Sequence, residues 1–282
     1  MIWVALCIWL FGTAWYSLPS YSVHSKPKEI GLILTREEYD TRIDTHDRPY
    51  VYEIPTLKQG GVLVFGAEHT MQPCDEQIGV IRTRWKTFQP TIALVESDLG
   101  IMFPTFMDPV ETFGEPGLVY ALALKQGIPT FSWEPPDEVI IKSALEQGFT
   151  PEQVALRWVL SPYFSNLRHG QPDDPEGFVL DTLRQKSAVP GIKGILDSMK
   201  KINDAWYREF PNGPDWRVVS DQYGLPGFLG TMDLNHARDI YLVACISDLV
   251  NAGERVFVIC GSSHAVVIEP ALRAMFNTQE QP

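Results

Sequence analysis

Short apolar runs alternate with amphipathic stretches along most of this chain, and the rhythm predicts strands separated by helices. Gly61-Val-Leu-Val-Phe65 and Thr91-Ile-Ala-Leu-Val95 are continuous apolar runs of strand length, the pattern of strands covered on both faces. Residues 256–260 and 128–133 make two more, and residues 30–34 read as an opening strand. Between them the apolar spacing is helical. It covers residues 73–88, with a proline at the start, and residues 117–126, which stop at Gly127.

The middle of the chain predicts helices over residues 136–147, from the Thr150-Pro151-Glu152 start signal onward, and over 176–186 and 192–209. A Pro- and Gly-rich stretch, residues 210–230, then breaks the pattern and reads as a surface crossing or a lid. A helix over 234–251, a stop at Gly253, the strand at 256–260 and a helix to about Phe276 close the chain. Strands alternating with helices imply an α/β fold, a central and largely parallel sheet flanked by helices, with a helical middle insertion. No linker divides residues 28–278, which therefore read as a single domain.

The first 18 residues carry no charged side chain and are almost wholly apolar. Residues 1–22 read as a signal peptide or membrane anchor, which predicts an extracytoplasmic protein, secreted, periplasmic or membrane-attached. The alternative is a buried N-terminal helix. The 282 residues are 45% hydrophobic and 21% charged, enough for a sizeable core. A formal charge of −12 without a basic run argues against nucleic acid and against anionic membrane surfaces as partners. Cys7 falls in the export segment. Cys74, Cys245 and Cys260 have no metal-type spacing, and the last two read as small core residues.

One short pattern recurs. Val62-Leu-Val-Phe-Gly66-Ala-Glu68-His69 and Val256-Phe-Val-Ile-Cys-Gly261-Ser-Ser-His264 are each a buried strand running into Gly-x-x-His. Ligands of open α/β sheets bind beyond the carboxyl ends of the strands. Both histidines therefore fall where such a fold builds sites. Glycine permits a tight exit and a close approach to the backbone, and histidine supplies a metal ligand or a base near neutral pH. The bland alternative is two histidines that cap loops.

Carboxylates occupy comparable places. Glu96, and Asp98 beyond it, follow the strand at 91–95, and Glu134 follows the one at 128–133. Glu115 lies at a helix start, where a negative charge is favourable for its own sake. Glu134 reads equally well as a solvated loop residue. Arg238 shares a helical stripe with Leu242, Cys245 and Leu249, so it points inward near the positive end of its helix. It needs a partner, either a carboxylate such as Glu96 or a substrate anion.

These residues, in this order, resemble the TraB/PrgY/Tiki superfamily, which also takes in ChaN-like haem-uptake proteins and erythromycin-esterase-like hydrolases. The resemblance spans about residues 60–276 and rests on Gly66-Ala-Glu-His69, Glu96, Arg238-Asp239 and Gly261-Ser-Ser-His264. Arg238-Asp239 stands where Tiki-like proteins tend to carry Arg-Asn. The resemblance implies an α/β fold with a polar central cleft. It also implies a hydrolase of peptides or small molecules: Tiki-like members are regarded as metal-dependent proteases, and esterase-like members open a lactone without an established metal.

The leading expectation is hydrolysis by water activated on a divalent metal. His69 and His264 would be ligands, Glu96 a ligand or general base, and Arg238 the stabiliser of the oxyanion. Two others stand beside it. One is metal-free hydrolysis with His69 as general base assisted by Glu96. The other is a binding protein for a peptide or for haem, with Trp85, Phe131 and Trp133 lining a slot.

Overall fold

The computed structural model describes residues 17–56, 60–97, 99–104, 106–167 and 170–277. The chain divides into two compact units, one of the residues up to Pro135 together with those from Arg238 onward, the other Pro136–Ala237.

The first unit is the α/β part. Its five strands are β1 (Tyr50–Pro55), β2 (Gly61–Ala67), β3 (Ile92–Val95), β4 (Thr130–Ser132) and β5 (Arg255–Gly261), in the order β1-β2-β5-β3-β4. All neighbours are parallel except the β1–β2 pair at the edge. The apolar runs are buried on both faces because strand side chains alternate between two covered surfaces. Val62 and Val64 of β2, with Val256 and Val258 of β5, meet Leu242, Ile246, Ile268 and Leu272 on one side. Leu63, Phe65, Phe257 and Ile259 meet Ile78, Ile81, Trp85 and Val119 on the other. The first side is covered by α9 (Asn235–Asn251) and α10 (Ser262–Asn277). The second is covered by α2 (Glu76–Phe88) and α3 (Pro109–Gln126).

β1 has no counterpart among the sequence expectations. It is an edge strand with alternating burial, Tyr52 and Ile54 inside and Glu53 outside, so it lacks the unbroken apolar run of its neighbours. The strand expected at 30–34 is instead a 3₁₀ turn, Lys28–Leu32, followed by buried Ile33 and Leu34. Their apolar character serves the helix layer: Leu34 N–H donates to Val267 O in α10 at 3.1 Å. A five-residue helix, α1 (Arg36–Asp40), closed by a capping box at Thr35, follows it.

α3 begins eight residues earlier than its apolar spacing suggests. Asp108 caps it through Val110 and Glu111 N–H, and Pro109 occupies its first turn. It bends at Gly114, whose φ of 63° and ψ of −146° are foreign to a helix. A side chain on Gly117 would lie 2.2 Å from Pro109 O, so the bend requires glycine there too. Glu115 thus opens the second half of a kinked helix.

The second unit is the helical insertion: α4 (Asp137–Glu146), α5 (Pro151–Asn166), α6 (Pro175–Lys186), α7 (Met199–Glu209) and α8 (Phe228–Thr231). Its core gathers Tyr163, Phe164, Trp206 and Trp216. The stretch at 210–230 runs largely over the surface, with a few side chains turned inward. Its turns place Trp216, Val219 and Leu229 in that core, where the buried Trp216 ring, its N–H donating to Asn203 Oδ1 at 2.9 Å, anchors irregular backbone.

Most of the apolar N-terminal segment, residues 1–16, lies outside the described residues. From Leu18 the chain already belongs to the α/β unit, ten residues before the boundary read from sequence: Leu18 is buried and Tyr21 N–H donates to Ser132 O at 2.8 Å. Among the described residues no helix is long and apolar enough to cross a membrane.

Candidate functional site

The carboxyl ends of β2, β5, β3 and β4 deliver His69, His264, Glu96 and Glu134 to one place, and Arg238 enters from the first turns of α9. Arg238 is the hub. Its Nε and Nη2 grip Glu134 at 2.9 and 2.6 Å, a two-pronged fork, and Nη2 also donates to Glu96 Oε1 at 2.8 Å. Nη1 lies 3.0 Å from His264 Nε2. The ring of Trp133, fully buried, lies beneath, with the guanidinium carbon 5.1 Å from its centroid and the imidazole edge-on at 5.3 Å. These contacts offset the cost of an arginine at the positive end of a helix. Burial works against the Arg238 charge, and the bonds to Glu134 and Glu96 more than reverse that effect, so its pKa is raised.

His264 is only 4% exposed. It sits in the first turn of α10, which follows β5 without a loop. Its Nδ1 is 2.5 Å from Asp239 Oδ1, also buried. Arg238 can only donate, so Nε2 accepts from it, and Nδ1 carries the proton that goes to Asp239. Burial opposes protonation of this ring; Asp239 and Glu96 outweigh burial and Arg238, and raise its pKa. Glu96 answers in kind: burial pushes its carboxyl up, but His264, Arg238 and His69 hold it down at about 2. Its second oxygen accepts the Gly261 N–H at 2.7 Å.

His69 differs. Its side chain is 61% exposed. Its Nδ1 lies 3.6 Å from Glu115 Oε2, a carboxylate that is 1% exposed and also accepts the Thr70 N–H at 2.6 Å. The bend at Gly114 lets Glu115 reach back: a side chain at Gly114 would lie 2.9 Å from Thr70 O. Glu115 is the main cause that raises the His69 pKa, against burial and with help from Glu96. Nδ1 is the nitrogen on the Glu115 side, and Nε2 lies toward Gly261 and Glu96.

The two glycines have reciprocal reasons. A side chain on Gly66 would lie 2.6 Å from Ala265 Cβ and 2.9 Å from Ser262 Cα, where the second motif starts its helix. A side chain on Gly261 would lie 3.0 Å from His69 Nε2. Each motif's glycine makes room for the other motif, whereas the sequence reading had the glycines making room for a ligand.

Of the residues singled out from sequence, Gly66, His69, Glu96, Glu115, Glu134, Arg238, Gly261 and His264 come together. Glu134 is a partner of Arg238 rather than a solvated loop residue. Glu68 turns its side chain outward, and only its backbone is engaged, by Gln77 of α2. Asp98 lies outside the described residues. Sequence reasoning gave no role to Asp239, Gln77 or Trp133 within this cluster. The Arg238-Asp239 pair that carries the family resemblance was the available signal for Asp239. Trp85 and Trp133 belong to clusters on opposite faces of the sheet, so they do not line a common haem slot.

This donor set does not fit a divalent cation at its centre. Between Glu96, Glu134 and His264 stands the guanidinium of Arg238, and the His264 nitrogens face Asp239 and Arg238. Among the described residues no group of three His, Cys, Asp or Glu side chains is arranged to hold a metal ion. No family model, curated protein or solved structure matches the chain.

Proposed function

We propose that this protein is a hydrolase of the TraB/Tiki-like type working without a metal, in the manner of an acid–base esterase. The observation that carries the reading is the division between the two histidines: His264 is locked inside an ion cluster, and His69 stands at the opening with one nitrogen held by Glu115. His69 Nε2 takes a proton from water as that water attacks an ester, lactone or peptide carbonyl. The imidazolium that forms is stabilised by Glu115 and by the ionised Glu96. Arg238, oriented before any substrate arrives, supplies the positive charge opposite the developing oxyanion, and His264 with Asp239 holds it there. His69 then returns the proton to the leaving group.

The test is a panel of esters, lactones and short peptides offered to the purified protein with and without chelator. The expected result is turnover indifferent to chelator and reduced about 10²–10⁴-fold in His69→Ala, the usual worth of a general base. Loss of turnover on chelation, restored by zinc or manganese, would overturn the metal-free mechanism in favour of the metal-dependent one. Saturable ligand binding without turnover would overturn the enzyme reading altogether.

A further inference from the structure

The segment ahead of the first turn of structure is tied to two elements at once. Pro19 to Tyr21 lies along the outer edge of β4: Ser132 N–H donates to Pro19 O at 3.0 Å, and Tyr21 N–H donates to Ser132 O at 2.8 Å. The Tyr21 ring meets Phe131 edge-on at 5.6 Å. On its other side the same segment holds α9. Tyr241 O–H donates to Tyr21 O at 2.6 Å, His24 N–H donates to Asp248 Oδ2 at 2.7 Å, and the Ser25 hydroxyl bonds the second oxygen of Asp248. Leu18 is buried in the core beneath.

Those two elements carry the two ends of the arginine fork. Glu134 lies two residues beyond Ser132, and Arg238 lies three residues, about one helical turn, before Tyr241. β4 is the last strand of the sheet, and among the described elements α9 and β4 do not pair through backbone. The spacing between Glu134 and Arg238 is set at the cluster by their own ion pair, by the Arg238–Glu96 bond and by Trp133, and away from the cluster by this bridge.

We propose that residues 18–25 act as a positioning strap that sets the spacing of β4 and α9, and with it the Arg238–Glu134 fork and the His264 imidazole that Arg238 faces. Removal of residues 18–25 loosens the cluster. The inference concerns the geometry of the cluster and holds whatever reaction the cluster performs.

Three chains test it: the full chain, one starting at Leu18 and one starting at Lys26. His264 is followed by its ¹⁵N imidazole signals during a pH titration, and residues 130–135 and 236–243 by hydrogen exchange. The chain from Leu18 keeps every contact of the strap and is the reference for the chain from Lys26. The chain from Lys26 should exchange at least tenfold faster in those two segments, with residues 136–235 unaltered, and its His264 titration should move toward that of a free histidine. Unchanged exchange and titration in the chain from Lys26 would overturn the proposal. If that chain fails to fold, Tyr241→Phe decides, because it removes one bond of the strap and keeps the ring. It should speed exchange in 236–243 about fivefold, the equivalent of one ordinary hydrogen bond, and displace the His264 titration. A Tyr241→Phe protein identical to wild type in both readouts would refute the strap.

Discussion

The two Gly-x-x-His copies look alike on paper and do different work. After β5 the chain turns at once into α10, so His264 lies in a helix, buried, with both nitrogens engaged. After β2 the chain crosses eight residues to α2, and Gln77 and Glu115 must hold that connection from outside. His69 therefore ends exposed, with one nitrogen engaged. A residue that reacts with a ligand needs an open face; a residue that positions an arginine needs none. The connection that follows each strand decides which it becomes.

Substituting the two histidines tests that division most severely. His264→Ala removes one member of a buried charged cluster, the group 2.5 Å from Asp239 and 3.0 Å from Arg238, and should cost about 3–5 kcal/mol. His69→Ala should stay within about 0.5 kcal/mol of wild type, as for other exposed sites. Chemical denaturation of both variants measures this, and equal losses would erase the distinction.

Glu96 touches both copies, bonding Gly261 and stabilising His69, so its titration sharpens the comparison. Its folded pKa of about 2 lies below the ordinary 4.5. Its ionised form therefore contributes stability that is fully present above about pH 4.5 and is lost as the pH falls toward 2. The loss should amount to about 3 kcal/mol across that window. Denaturation as a function of pH should show this slope in wild type and not in Glu96→Gln.

The glycines separate the copies more gently. Gly66→Ala collides with backbone and side chain of the second motif and should cost about 1–3 kcal/mol, as overpacking does. Gly261→Ala meets the end of a movable imidazole, so melting should change by less than half as much while turnover falls.

The smallest effect belongs to Glu115. Hydrolysis by a basic His69 rises as pH passes the raised pKa of that histidine. Glu115→Gln removes the main cause of the rise, so the acid limb of the pH–rate profile should move to lower pH. A limb that stays in place would detach Glu115 from His69.

The α/β class, the buried strands as they follow along the chain, and the placement of His69, Glu96, Glu134 and His264 at or just beyond their carboxyl ends were legible in the sequence. Period-2 burial on two covered faces writes an unbroken apolar run, and such runs are legible without a structure. The inward direction of Arg238 was legible too, from its apolar stripe. β1 was not, because an edge strand needs only alternate burial, nor was the turn at 28–32, whose apolar residues pack on a helix instead of a sheet. Tertiary structure alone decided which carboxylate takes the arginine, why each glycine is there, and which histidine stays open. Those outcomes depend on distances between segments far apart in the chain, and side chains of one type are interchangeable in sequence until packing brings a particular partner within about 3 Å of a hydrogen-bonding atom.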